Sequence, residues 1–297
     1  MRHHAPASPP PWNSRRRQRG VTLIELVITI AVGSVVVAFM AMFVVMPISA
    51  YTAQTRRAEL VDDAESALRF MGRDLRSALP NSVRITSSGT VTALELLATI
   101  DGARYRDGGP LSNSALDLDF TAADGAFSTT VPFTQLTLPW VSTTSYISIY
   151  NVGVQGADAY AMANVITPSA TTITVAAGAT ANANLITLNP AFQFAYGSPG
   201  KRLYLVSGPV SYVCDTAAGT LRRYSGYAIQ TPQVASGAGL TAAGATVSLV
   251  SPDIAGCQFT FTSGTAQRNA LSTLALQFTR SGETVQLLHE VQLVNTP

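Results

Sequence analysis

A single carboxylate interrupts the most apolar part of the chain. Residues 21–46 form a run of 26 residues in which Glu25 is the only charged side chain. As a helix this run would extend about 39 Å, enough to cross a bilayer core of about 30 Å. An acid within a membrane span is costly and usually functional, because a buried charge needs a partner. Glu25 is therefore the first candidate functional residue.

Few histidines are available for catalysis or metal binding. The chain has three histidines, His3, His4 and His289. If the N-terminal residues are removed, only His289 remains, in an alternating stretch that predicts a strand. The sequence carries no serine-hydrolase elbow, phosphate loop or dinucleotide fingerprint. We therefore expect no catalytic residue, no metal site and no cofactor, with an anchored periplasmic enzyme as the least favoured function.

Paired acids offer a second candidate site. Asp117 and Asp119 have a spacing compatible with calcium ligands, but no acidic loop follows them. Their alternation with Leu116, Leu118 and Phe120 favours a strand instead. We predict a strand over residues 115–120.

Composition and charge limit the possible partners. Of 297 residues, 47% are apolar and 12% are charged, which predicts a folded protein with a sizeable core. The net charge is +2, but residues 1–20 hold five of the 19 basic side chains and no acid. The remainder has 14 basic and 17 acidic groups, and 14 − 17 = −3. Because no basic residue lies between Arg106 and Lys201, no nucleic-acid partner is expected.

The basic N-terminus also predicts orientation. The apolar run is too long for the core of a cleaved secretory signal, so it favours a membrane anchor. Arginines precede the run, which predicts a cytoplasmic leader and a translocated C-terminal bulk. We expect a single-pass membrane protein whose C-terminal bulk lies on the opposite side of the membrane from the leader.

The junction at residues 19–26, Arg-Gly-Val-Thr-Leu-Ile-Glu-Leu, resembles that of type IV prepilins and type II secretion pseudopilins. The resemblance implies cleavage after Gly20 by prepilin peptidase and methylation of the new amine on Val21. It also implies that Glu25, fifth in the mature chain, forms an assembly salt bridge with the N-terminal amine of a neighbouring subunit. The implied partners are other major and minor pilins, the inner membrane and a pilus assembly platform. The implied location is the bacterial inner membrane, crossed once with the head in the periplasm, and after assembly a pilus or pseudopilus filament. An uncleaved signal anchor is the alternative.

Further stretches narrow the resemblance. Residues 210–215 and 219–224 are similar to a strand–turn–strand of large minor pilins and of J-type pseudopilins. Residues 67–76, 79–84, 103–106 and 294–297 resemble the large minor pilin of mannose-sensitive haemagglutinin-type pili.

The apolar run predicts one long helix over residues 21–79. Its first part, 21–46, would span the membrane, and 47–80 would continue as an amphipathic segment. There the apolar residues recur every three or four positions: Val61, Ala64, Leu68, Met71, Leu75 and Leu79. Pro47 is expected to loosen the helix, and Pro80 to end it.

Residues 81–297 predict a β-rich head, so the expected fold class is α+β and pilin-like, with the helix packed on an antiparallel sheet. Alternating runs predict strands at 130–138, 145–150, 203–206, 210–214, 221–224, 257–262, 271–279 and 284–294. The last two would form a hairpin around residues 280–283. Residues 153–190 are nearly uncharged and predict a surface excursion or an inserted β-ribbon.

Cys214 and Cys257 both lie in strand-like runs. A disulfide suits a compartment beyond the inner membrane and would stabilise the head by about 4 kcal/mol in the chain-entropy model. Two buried free thiols are the alternative.

The sequence leaves four candidate functions. The favoured one is a minor pilin that serves initiation, assembly or the tip of a type IV pilus. The others are a type II secretion pseudopilin, an adhesive or DNA-uptake subunit, and the anchored enzyme.

Overall fold

The computed structural model describes residues 20–108, 114–178, 183–265 and 268–296. Most of the predicted leader, residues 1–19, lies outside these ranges. The chain divides into an N-terminal unit, Met1–Gln54, and a larger unit, Thr55–Pro297. The predicted class is confirmed, since a long N-terminal helix is followed by an antiparallel β head.

The N-terminal helical stretch has three parts. Helix α1 covers Leu23–Met40, a π-helical segment covers Ala41–Val45, and helix α2 covers Met46–Arg76. The wider π turns immediately precede Pro47, which lacks the N–H that would continue the α-helical ladder. The loosening expected at this proline therefore takes the form of a local change in hydrogen bonding.

Helix α2 ends three residues earlier than predicted. Ser77 and Ala78 still donate to Arg73 and Leu75, but the Leu79 N–H donates to the Leu97 carbonyl at 2.7 Å. Ala78 bridges Ala98 in the same way. Residues 77–79 leave the helix because the neighbouring strand offers their backbone a partner, although Leu79 still buries its side chain.

Within the described ranges, the head contains thirteen strands in two antiparallel sheets. Their bounds are β1 Arg84–Ser88, β2 Val91–Tyr105, β3 Asp124–Val131, β4 Trp140–Ser142, β5 Tyr146–Ser148, β6 Thr172–Ala177, β7 Asn184–Phe192, β8 Arg202–Asp215, β9 Thr220–Ser225, β10 Thr246–Ser251, β11 Ile254–Thr262, β12 Ala270–Arg280 and β13 Glu283–Leu293. The large sheet has the order β10-β9-β8-β2-β3-β7-β6-β4, with β1 on β2 and β5 on β8. The small sheet has the order β11-β12-β13. A 3₁₀ turn, Ser114–Leu116, and helix α3, Gly237–Ala242, complete the elements.

Helix α2 covers the main core. Its buried stripe includes Ala64, Leu68, Met71 and Leu75, as the apolar period predicts. At its start Leu60 is fully buried, whereas the predicted Val61 is only partly buried. The stripe shares one apolar cluster with side chains of β2, β8 and β9 from the large sheet and of all three strands of the small sheet. The amphipathic half of the helix therefore joins the two sheets.

The C-terminal half agrees best with the predicted strands. Strands β9, β11, β12 and β13 contain or closely match the predicted runs. Ser281 and Gly282 both have positive φ, 50° and 85°, as a two-residue hairpin turn with the twist of its strands requires. The runs 203–206 and 210–214 form one strand, β8, because the Gly208-Pro209 dipeptide is accommodated beside a register shift between Ala98 and Thr99.

Two predicted strands are wrong. Residues 115–120 form no strand, since Asp119 accepts hydrogen bonds from the backbone and hydroxyl of Thr121 and so favours a local turn. The run 130–138 belongs mostly to a loop, because β3 ends at Val131 before Pro132.

The segment 153–190 has a partly different structure from the one expected. It contains β6 and most of β7, which pair antiparallel as a ribbon, although residues 179–182 lie outside the described ranges. However, it is no surface excursion, because Val165, Ile166, Ile173 and Ile186 are fully buried or nearly so. Its apolar residues build part of the head's second core.

Candidate functional site: the N-terminal junction and its helix

The N-terminal junction is exposed along its described length. Gly20 and Val21 precede helix α1 outside any regular element, and Val21 is 68% exposed. No described atom lies within 4 Å of the position that a β-carbon on Gly20 would take. The described residues therefore leave the Gly20–Val21 peptide bond uncovered.

Helix α1 begins with a cap that the sequence analysis did not use. Thr22 is the N-cap, and its hydroxyl accepts the Glu25 N–H at 3.3 Å. A threonine followed three residues later by glutamate is the capping-box pattern, which was readable from sequence. The cap fixes the start of the helix at Leu23, two residues after Val21.

Glu25 stands in the first turn of α1 with its side chain exposed. A carboxylate there is stabilised by the positive end of the helix dipole. Among the described residues, no basic side chain forms an ion pair with it.

The surface of α1 is apolar on all sides. None of its residues is buried, and large side chains such as Leu23, Ile24 and Ile30 are more than 60% exposed. Among the described residues, one helical stretch, Leu23–Arg76, contains a window long and apolar enough to cross a membrane, with a mean hydropathy of 2.6. A helix that is hydrophobic all round requires an apolar environment, which a membrane or a bundle of helices provides.

In the larger unit, polar contacts fasten α2 to the head. The Asp74 carboxylate accepts hydrogen bonds from Tyr212 Oη and Arg223 Nε, both at 2.7 Å. Burial, followed by the neighbouring Asp74 charge, raises the pKa of Tyr212 far above its usual value, so this phenol stays protonated. At the other end, Arg280 contacts Asp63 at 2.8 Å and Asp253 at 2.5 Å.

Cys214 and Cys257 form a disulfide with a Cα–Cα distance of 6.5 Å. Cys214 lies on β8 of the large sheet and Cys257 on β11 of the small sheet. The bridge therefore links the two sheets that α2 covers.

The other chemically interesting residues have structural partners. His289 lies on β13, and a β-carbon on Gly72 would approach its Nε2 to 3.1 Å, so glycine makes room for the ring. Asp117 pairs with Arg106 at 2.9 Å. Among the described residues, no group of three histidine, cysteine or acidic side chains is placed to hold a metal.

A comparison with known families gives one match. Residues 15–41 match the prokaryotic N-terminal methylation motif, which includes the exposed junction, Glu25 and α1. The match supports a type IV pilin-like protein, a pilin or pseudopilin-like subunit that is processed by prepilin peptidase and assembles with other pilin subunits. No curated protein and no solved structure matches the chain.

Proposed function

We propose that the chain is a minor pilin, a structural subunit that serves the initiation, assembly or tip of a type IV pilus. The observation that carries the proposal is α1: an entirely exposed apolar helix with one acid, Glu25, four residues after Val21. In this proposal the helix lies first in the inner membrane and then among neighbouring helices in a filament. The head lies in the periplasm until assembly.

The N-terminal residues have separate roles in this proposal. Cleavage after Gly20 creates an amine on Val21, which is then methylated. Glu25 neutralises the corresponding amine of a neighbouring subunit, so that both charges are buried together when the helices pack. The capped start of α1 holds Glu25 at a fixed distance from Val21.

The bulk of the head favours a minor role over a major one. The larger unit runs from Thr55 to Pro297, and a head of this size packs poorly at every position of a helical filament. A type II secretion pseudopilin is the second candidate, since the same N-terminal motif serves both systems. Neighbouring genes for an outer-membrane secretin and secreted enzymes would favour the pseudopilin.

Processing tests the proposal, with Gly20→Val compared with Gly33→Val. At neither position does a described atom lie within 4 Å of an added β-carbon, so neither substitution disturbs the packing of the described residues. We expect Gly20→Val to retain the leader's 20 residues and to abolish assembly, because a branched side chain obstructs the scissile bond. Gly33→Val should be cleaved normally.

Mass spectrometry of the membrane fraction provides the measurement. The wild-type protein should begin at a methylated Val21. A mature N-terminus at Val21 in the Gly20→Val variant, or an uncleaved wild-type chain, would contradict the proposed processing.

A further inference from the structure

The basic side chains of the head divide into two groups. Five form ion pairs with carboxylates: Arg84, Arg106, Lys201, Arg223 and Arg280. Residues 81–297 contain four more basic side chains that form no such pair with any described residue. They are Arg104, Arg202, Arg222 and Arg268. Three of these four, all except Arg222, line two clefts that share Arg202.

Arg104 and Arg202 are direct partners in the ladder between β2 and β8. Directly opposed residues of an antiparallel pair project from the same face, where like charges are destabilising. Arg202 is held by the C-terminal Thr296, to which it donates hydrogen bonds at the carbonyl and the hydroxyl. Arg104 is exposed and forms no hydrogen bond or ion pair through its guanidinium within the described residues. An anion at this point would relieve the repulsion between the two cations.

The smaller cleft, about 310 Å³, has an aromatic wall. Tyr204 lies two residues beyond Arg202 and pairs with Gly102 across the ladder. A β-carbon on Gly102 would lie 3.4 Å from the Tyr204 ring, so the glycine leaves this side of the ring without a covering side chain. The ring is fixed because its hydroxyl donates to the Thr296 carbonyl at 3.0 Å.

The larger cleft, about 700 Å³, adds amides and a third cation. Its lining includes Arg202, Arg268, Asn81, Asn269 and Asn295. Among the described residues that line the two clefts, none is acidic. Amide side chains carry both donors and acceptors and so suit hydroxyl groups, whereas arginine suits a carboxylate.

We propose that these clefts bind an acidic oligosaccharide. A sugar carboxylate would lie between Arg104 and Arg202, a neighbouring ring against Tyr204, and further hydroxyls on the asparagines beside Arg268. The larger cleft has the volume of an ordinary small-ligand site. Because residues 21–297 carry a charge of −3, the cations act at short range and do not give the field that draws nucleic acid.

This ligand-binding role is separate from filament assembly, so it is tested on the purified full-length chain in detergent. Binding is measured by calorimetric titration. Trigalacturonate and sialyllactose are the acidic probes, and maltotriose and lactose are the neutral controls. We expect saturable binding of at least one acidic probe and of neither neutral one. A failure here leaves the proposed processing and assembly unaffected.

Three charge variants locate the binding. Arg104→Gln and Arg268→Gln should each weaken binding by about tenfold, the effect of losing a hydrogen bond in which at least one group is charged. Both side chains are exposed, and unchanged near-ultraviolet circular dichroism verifies folding. Arg222→Gln, which removes the same charge from β9 outside both clefts, should bind like the wild type.

Four results would overturn the proposal. They are no saturable binding of either acidic probe, equal binding of the neutral sugars, an equal loss in Arg222→Gln, and tighter binding of duplex DNA or inorganic phosphate through the same arginines.

Discussion

Helix α1 exposes its apolar side chains, whereas helix α2 buries many of its own from Thr55 onward, where it belongs to the larger unit. In α1 no residue is buried, and in α2 the residues Leu60, Ala64 and Met71 are completely buried. The head buries apolar side chains of both its sheets and adds a disulfide and ion pairs such as Asp74–Arg223. The difference indicates that the described head covers its own apolar side chains, whereas no described residue covers those of α1.

The largest expected effect concerns the disulfide of the head. Its sequence separation of 43 residues predicts a contribution of about 4 kcal/mol in the chain-entropy model. Cys257→Ser, at a half-buried position, should lower the free energy of unfolding by about this amount. Denaturant unfolding of the wild type with and without reductant supplies the control.

Alkylation of the native protein tests the same bridge. Neither cysteine should react before reduction, and both should react after unfolding and reduction. Full labelling of Cys214 and Cys257 in the native, unreduced protein would show two free thiols.

A matched pair of truncations then tests the contrast directly. Leu75→Ala removes a side chain that is 1% exposed, and Leu26→Ala removes one that is 53% exposed. We expect the first to reduce the free energy of unfolding of the head by about 3 kcal/mol, because it leaves a cavity. The second should change it by less than about 0.5 kcal/mol. Equal losses in the two variants would remove the distinction between the segments.

The smallest effect concerns the polar attachment of α2. Asp74→Asn keeps an acceptor but loses the charge that holds Arg223 and Tyr212, so a loss of about 1.5 kcal/mol is expected. Asp62→Asn, on the exposed surface of the same helix, should have almost no effect. A loss for Asp62→Asn as large as that for Asp74→Asn would mean that the contact itself contributes nothing.

The parts of the fold with strong local signals were predictable from the sequence. The helical stripe of α2 repeats every three to four residues, and Ser281-Gly282 fits only a tight turn between alternating strands. The strand predicted at residues 115–120 was wrong although polar and apolar residues alternate there as in a strand. Asp119 accepts a local hydrogen bond from Thr121, which favours a turn. The burial of the isoleucines in residues 153–190 was not predicted, because alanine, threonine and asparagine surround them in the sequence.

The N-terminal junction and the arginine clefts also differ in how visible they are in the sequence. Gly20, Val21 and Glu25 lie within six residues, so the motif is visible in one short segment. Arg104, Arg202 and Arg268 are distant in sequence and share the clefts only because β2 pairs with β8 in one register and the C-terminal strands lie nearby. No local pattern could have joined them.

Glu25→Ala provides the most direct measurement of the central claim that α1 has its partner in another subunit. Insertion should persist, since a carboxylate costs about 2.5–3.5 kcal/mol in a membrane span. Cleavage after Gly20 should also persist, while crosslinking to neighbouring pilins in membranes should be lost, because a buried amine would have no counter-charge. Ser34→Ala, on the same exposed helix, is the control. Normal crosslinking and normal piliation in Glu25→Ala would contradict the pairing of Glu25 with a neighbouring N-terminus.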